Sequence, residues 1–127
     1  MIKNLILNWL KGYQTIIYPN DVKYVGDVMN GKPHGFGIQT HSFGDKYEGF
    51  WKDGVRQGFG KQTYCHGDVY EGEWKDNMFH GKGKLVYSNG TRYEGQFQFG
   101  FFNGNGTLYL PDGEIRKGIF KNGVIQS

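Results

Sequence analysis

The chain has 127 residues and a formal net charge of +3, room for one domain. Lys and Glu alternate along it, which argues against a nucleic-acid-binding face. Glycine makes up 22 residues and aromatics 17%, against three prolines, which excludes collagen-like and proline-rich classes and favours an ordered arrangement of glycines and rings over disorder. The one cysteine, Cys65, excludes an internal disulfide or a cysteine-rich metal site and fits a reducing, cytoplasmic setting. The apolar runs are too short to cross a membrane as helices.

Residues 1–11 form a segment of their own. Ile2, Leu5, Ile6, Trp9 and Tyr13 fall at helical spacing, which predicts a short helix or strand capping the edge of the first downstream unit. The alternative is an amphipathic element for a membrane or partner, though only Lys3 and Lys11 would support it. A signal peptide is disfavoured because Asn4 and Asn8 interrupt the apolar stretch and no small-residue cleavage site comes after it.

From residue 12 onward the chain repeats every 23 residues. Four full units run 24–46, 47–69, 70–92 and 93–115, flanked by half units 12–23 and 116–127. We number phases within a unit from its leading tyrosine: Tyr24, Tyr47, Tyr70 or Tyr93. Phases 3, 12, 14 and 21 are glycine in all four units, and phase 8 is Gly31, Gly54 and Gly100 with Asn77 as the exception. Asn is the residue best suited to replace Gly at positive φ.

Each unit contains two stretches that alternate with period 2, phases 1–6 and 12–18, and these are expected to be strands. Ser88-Asn89-Gly90 and Pro111-Asp112-Gly113 predict tight hairpins between units. Phases 7–11 read as a longer glycine-containing loop. Short connections predict antiparallel neighbours. The expected fold is therefore all-β: a single-layer, elongated, twisted antiparallel sheet of consecutive hairpins, about 10 Å per unit.

Alternation sorts the side chains onto two faces. One carries Tyr47, Trp51, Tyr70, Trp74, Tyr93 and Phe97 among the glycines. Gly35, Gly37, Gly58, Gly60, Gly81, Gly83, Gly104 and Gly106 are expected to be structural, a floor over which cross-strand rings lie flat. The other face carries Lys52, Lys61, Lys75, Lys82 and Lys84 among Glu48, Glu71, Glu73 and Glu94, expected as weak cross-strand ion pairs. Phe99, Phe101 and Phe102 crowd the fourth unit beside Phe97, as a C-terminal cap closed by Val124 and Ile125 or as a patch for a partner or second copy.

Catalytic and metal chemistry find no support. His34 and His80 share phase 11 two units apart, roughly 20 Å, too far to share an ion, and Cys65-His66 lies in a turn without further ligands. No phosphate-loop signature occurs, and no nucleophile stands beside a base. No enzyme activity, cofactor or metal is expected.

The pattern Tyr-Glu-Gly-x-Trp-Lys-Asp-Gly-x-x-x-Gly-x-Gly, clearest at 47–60 and 70–83, closely resembles the MORN repeat (membrane occupation and recognition nexus). The resemblance covers residues 12–127. Val28 and Phe97 replace the tryptophan in units one and four, and Asn77 replaces one glycine. The family implies a meandering hairpin array used as a scaffold or docking surface. Some members have been proposed to bind anionic phospholipids, some present a grooved face to a partner helix or self-associate, and some enzymes carry such arrays beside a catalytic domain.

The leading expectation is a protein-docking scaffold whose partner lies on the ring face at Tyr47, Trp51, Tyr70, Trp74, Tyr93, Phe97, Phe99, Phe101 and Phe102. The alternatives are peripheral binding to anionic lipid through Lys52, Lys61, Lys75, Lys82 and Lys84, against which the interspersed glutamates argue, or service as the targeting module of a larger enzyme. Open strand edges or the fourth-unit rings would serve a homodimer.

Overall fold

In the computed structural model the described residues are 13–127. The expected capping segment 1–11, with Ile2, Leu5, Ile6 and Trp9, lies outside them. Tyr13 opens a strand rather than sitting on a helix.

The strands are β1 (Tyr13–Tyr18), β2 (Val22–Met29), β3 (Lys32–His41), β4 (Lys46–Lys52), β5 (Val55–Thr63), β6 (Val69–Lys75), β7 (Met78–Val86), β8 (Arg92–Gln98), β9 (Phe101–Tyr109), β10 (Ile115–Lys121) and β11 (Val124–Ile125). They lie in one antiparallel sheet in strict chain order. A 3-10 turn, Pro19–Asp21, joins β1 to β2. Asp21 stands at the glycine phase of that turn and adopts φ 60° itself.

The two kinds of connection are the reverse of the expectation. Phases 7 and 8 alone make the turn within a unit, and the second strand begins at phase 9, three residues earlier than its alternation suggests. Both turn residues have positive φ at Asn30-Gly31, Asp53-Gly54, Asp76-Asn77, Phe99-Gly100 and Asn122-Gly123, as type I′ hairpins require. The turns between units are the wider ones. At Tyr87–Thr91, Gly90 N–H donates to Tyr87 O at 3.0 Å and Tyr87 N–H to Thr91 O at 2.8 Å, with Gly90 at φ 95°. That is a three-residue loop closed by a left-handed glycine.

Each unit also carries a bulge that alternation alone does not reveal. Pairing runs to Gly49↔Gly60, then resumes at Trp51↔Arg56, so one residue of the first strand faces three of the second. The same break occurs after Gly26, Gly72 and Gly95. It leaves the carbonyl of phase 4 free of the ladder, and the leading tyrosine donates to it: Tyr24 to Asp27 O at 2.7 Å, Tyr47 to Phe50 O at 2.9 Å, Tyr70 to Glu73 O at 2.7 Å and Tyr93 to Gln96 O at 2.8 Å. A buried hydroxyl and an orphan carbonyl thus satisfy each other.

The glycines divide into two sets. At phase 14 the expected floor is present: a Cβ added at Gly37, Gly60, Gly83 or Gly106 would strike the ring of its own unit's tyrosine. At phase 12 the bulge turns the backbone over. Gly35, Gly58, Gly81 and Gly104 have φ between 62° and 103°, and a Cβ would meet the phase 4 residue, Asp27, Phe50, Glu73 or Gln96, not a ring. In three units that phase 4 side chain accepts the N–H of phase 13, as Glu73 does from Lys82.

The core is a zipper of rings along one face. Tyr24, Tyr47, Tyr70, Tyr93, Trp51, Trp74, Phe97 and Phe120 are buried. Each unit's tyrosine meets the ring of the next unit edge-on: Tyr24–Trp51, Tyr47–Trp74, Tyr70–Phe97 and Tyr93–Phe120, with centroids 5.1 to 5.4 Å apart. Within a unit Tyr47–Trp51 and Tyr70–Trp74 repeat the contact. Trp51 and Trp74 donate Nε1–H to Gly37 O and Gly60 O. Edge-to-face geometry is the preferred ring packing.

The hairpin tips bind unit to unit. Gly54, Asn77, Gly100 and Gly123 N–H donate to Pro33, Arg56, Phe79 and Phe102 O. At the opposite edge the Asp45 and Asp68 carboxylates accept Cys65 and Ser88 N–H. The C-terminal cap forms in part: β11 pairs with β10 and Ile125 packs on the ring cluster, while Val124 is exposed.

Burial raises the pKa of Tyr24, Tyr47 and Tyr70 well above the ordinary value. A group whose pKa is higher folded than unfolded contributes stability that is fully present below the unfolded pKa, about 10 for tyrosine, and is lost as pH rises through the folded value. Ionisation of these buried tyrosines should therefore occur only above about pH 10 and together with loss of the sheet's circular dichroism. Complete tyrosine ionisation with an unchanged sheet signal would contradict this.

Candidate functional site

The rings expected to receive a partner are the interior of the array. Tyr47, Trp51, Tyr70, Trp74, Tyr93 and Phe97 expose 0–6% of their surface. A one-layer sheet has no second layer to cover this face, yet the rings are shielded from solvent, because each is covered by the next unit's ring. Of the fourth-unit residues, Phe102 is half-buried, stacked on Tyr93 at 3.9 Å, while Phe99 and Phe101 are exposed, 65% and 54%. Phe99 does so with φ 52°, unusual for a bulky side chain.

What covers the zipper is phase 10. Phe79 stacks face to face on Tyr70 at 3.8 Å, as Phe102 does on Tyr93, and buried Pro33 occupies the same phase in unit one. In unit two the residue is Arg56, with its guanidinium carbon 4.7 Å from the Trp74 ring centroid and 5.8 Å from that of Tyr47, within cation–π range. Phase 16 changes in parallel: Gln39 and Gln62 in units one and two, Leu85 and Leu108 in units three and four. The ring face is thus amide-rich and cationic over its first half and apolar over its second.

A groove opens above it. One cavity of about 390 Å³ is lined by Gln39, His41, Tyr47, Trp51, Arg56 and Gln62 among others. A second, about 170 Å³, adjoins it between Arg56, Tyr64, Trp74 and Phe79. Reading phases 7–11 as a loop hid Arg56. The signal was present in Phe79 and Phe102, which mark phase 10 as a place for a ring-covering side chain.

The opposite face carries the lysines. Lys52, Lys61, Lys75, Lys82 and Lys84 are all exposed. Glu48, Lys61, Glu71, Lys84 and Glu94 stand opposite one another on successive strands, so charge alternates in sign across the sheet. The close Lys and Arg ion pairs among the described residues instead join neighbours two apart in the chain, Lys46–Glu48 at 3.4 Å, Arg92–Glu94 at 3.3 Å and Arg116–Glu114 at 3.1 Å. The same face bears Phe36 and Phe50, edge to face at 5.6 Å, and exposed Phe59. Among the described residues no three His, Cys, Asp or Glu side chains converge as metal ligands would.

The family model for the MORN repeat matches residues 24–44, 47–69, 70–92 and 93–115, more than half of the chain. The chain belongs to the MORN repeat family. No curated protein matches it. MORN repeats are generally non-enzymatic modules that take part in protein or membrane interactions. In this MORN array the zipper, bulge and tip pairing recur in every unit and hold the sheet, whereas phases 10 and 16 vary from unit to unit and shape the groove.

Proposed function

We propose that this array is a non-catalytic docking module and that a protein partner lies along the groove of the ring face. The observation that carries the reading is the open space over units one to three, a cavity of about 390 Å³ running into one of about 170 Å³ on a floor of fully packed rings. A rigid aromatic floor with polar groups at its margin offers contact area at little conformational cost. The contacts are made not by the buried Tyr47, Trp51, Tyr70 and Trp74 but by the side chains above them, Gln39, Arg56, Tyr64 and Phe79. An extended segment or helix meets the length of such a groove.

The test is site-specific photo-crosslinking in cells that express the full chain. A photoreactive residue at Tyr64 should give discrete protein adducts, and the same residue at Lys61 or Lys84, on the opposite face, should give none. Protein or lipid adducts confined to Lys61 and Lys84 would overturn the reading, and lipid adducts there would favour the membrane alternative.

A further inference from the structure

Three positions that vary between units converge on one point of the groove. Arg56 stands where units three and four carry phenylalanine, Gln62 where they carry leucine, and Asn77 where the other units carry glycine. Asn77 adopts φ 67°, a conformation glycine would take with less strain. Its side chain has a use there: Oδ1 accepts both Arg56 N–H at 2.8 Å and Arg56 Nε–H at 3.1 Å. Gln62, only 5% exposed, accepts from Arg56 Nη1 at 3.2 Å, and the Asn77 carbonyl accepts from Nη2 at 3.3 Å. The guanidinium is therefore aimed, not merely tolerated.

Yet every one of these acceptors is neutral. A guanidinium has five N–H donors, and among the described residues three have acceptors, leaving one on Nη1 and one on Nη2. None of the ion pairs among the described residues includes Arg56. Burial disfavours its charged form, offset in part by the Tyr64 and Tyr47 hydroxyls. A half-buried cation without a counter-ion, beside an open cavity, stands ready for an anion from outside.

We propose that this cavity holds the carboxylate of an aspartate or glutamate in the docked partner, gripped by the two remaining donors of Arg56. The inference rests on the docking reading above and adds the chemistry that selects the partner. Two parallel donors suit a planar carboxylate. The cavity lining carries one guanidinium, Arg56, and one carboxylate, Asp45, beside His41. Asp45 disfavours a dianion such as phosphate far more than a single carboxylate.

Nuclear magnetic resonance on the full chain tests this with three probes: N-acetyl-glutamate amide, N-acetyl-glutamine amide and inorganic phosphate. The glutamate probe should shift the Arg56 Nε–H and Gln62 side-chain resonances saturably, with a Kd in the millimolar range, and the other two should bind at least about tenfold more weakly. Arg56→Phe restores the residue that units three and four carry, so the sheet should persist while the Gln62 shift disappears; Arg56→Gln, which keeps a polar cover, should show the same loss. Asp45→Asn should strengthen glutamate binding. Equal shifts from glutamine or phosphate, or a glutamate response retained in Arg56→Phe, would overturn the carboxylate assignment. Adducts from Tyr64 that persist in that case leave the groove reading standing, whereas adducts confined to the opposite face remove the groove reading itself.

Discussion

Replacing Gly72 by alanine is expected to destabilise the chain by more than about 3 kcal/mol, beyond the usual cost of overpacking. An added Cβ would lie 2.5 Å from Gly83 Cα and 2.6 Å from Lys82 O, both backbone of the neighbouring strand, and 2.8 Å from the Tyr70 hydroxyl. A flexible side chain could move aside; a paired strand cannot, because its separation is set by the ladder. Gly72 needs no left-handed backbone, so the requirement is for space alone. Gly90 is the control. It has φ 95° and nothing within 4 Å of an added Cβ, so Gly90→Ala should carry only backbone strain, about 1 kcal/mol. Urea denaturation measures both, and a Gly72→Ala midpoint close to that of Gly90→Ala would show that the glycine pair is not the closest point of the sheet. Because units interact mainly with their neighbours, hydrogen exchange in Gly72→Ala should rise first in β6 and β7, with β2 and β10 less affected.

The contrast between those two glycines shows how far the amino-acid sequence alone can be read. Placing every glycine on five phases of 23 made the array, its chain-order pairing and its antiparallel sense legible. The distinction between glycines that clear a ring and glycines that turn the chain was not, because both occur at constant phase. The bulge is the physical reason. Asp27, Phe50, Glu73 and Gln96 each face three residues of the partner strand, so counting by twos through it assigns phase 12 to the wrong face. The same offset hid the short turn at phases 7–8. Asn30-Gly31, Asp53-Gly54 and Asn122-Gly123 do spell the Asn-Gly or Asp-Gly that marks a type I′ hairpin, but Asp76-Asn77 and Phe99-Gly100 do not, and Asn89-Gly90, which carries the same signal, closes the three-residue loop instead. Burial of the rings was illegible for another reason: Tyr47 is covered by Trp74, a residue of the next unit, and a face-by-face assignment contains no such neighbour. Arg56 lay inside the supposed loop, so the groove it caps could not be seen from alternation.

Once the rings are known to be structural, alanine substitution ceases to be a test of partner binding and becomes one of the largest expected losses of stability. Trp74 meets Tyr47, Tyr70 and Phe79 edge-on and lies beneath the Arg56 guanidinium. Its Nε1–H donates to Gly60 O at 3.0 Å. Trp74→Ala should cost about 3–5 kcal/mol, since the sheet on either side cannot collapse into the gap. Trp74→Phe separates the contributions. Phe97 shows that phenylalanine at this phase keeps the zipper, meeting both Tyr70 and Tyr93 edge-on, so the remaining loss is the unpaired Gly60 carbonyl, about 1–3 kcal/mol. Thermal denaturation of the two variants should therefore rank wild type above Trp74→Phe and Trp74→Ala far below. Equal losses would assign the stability to the hydrogen bond rather than to the ring contacts, while a negligible loss in Trp74→Ala would mean that neighbouring units fold without the zipper. Any affinity measured with Trp74→Ala reports on a damaged sheet; the groove has to be probed at Arg56 and Tyr64, which stand above the rings rather than among them.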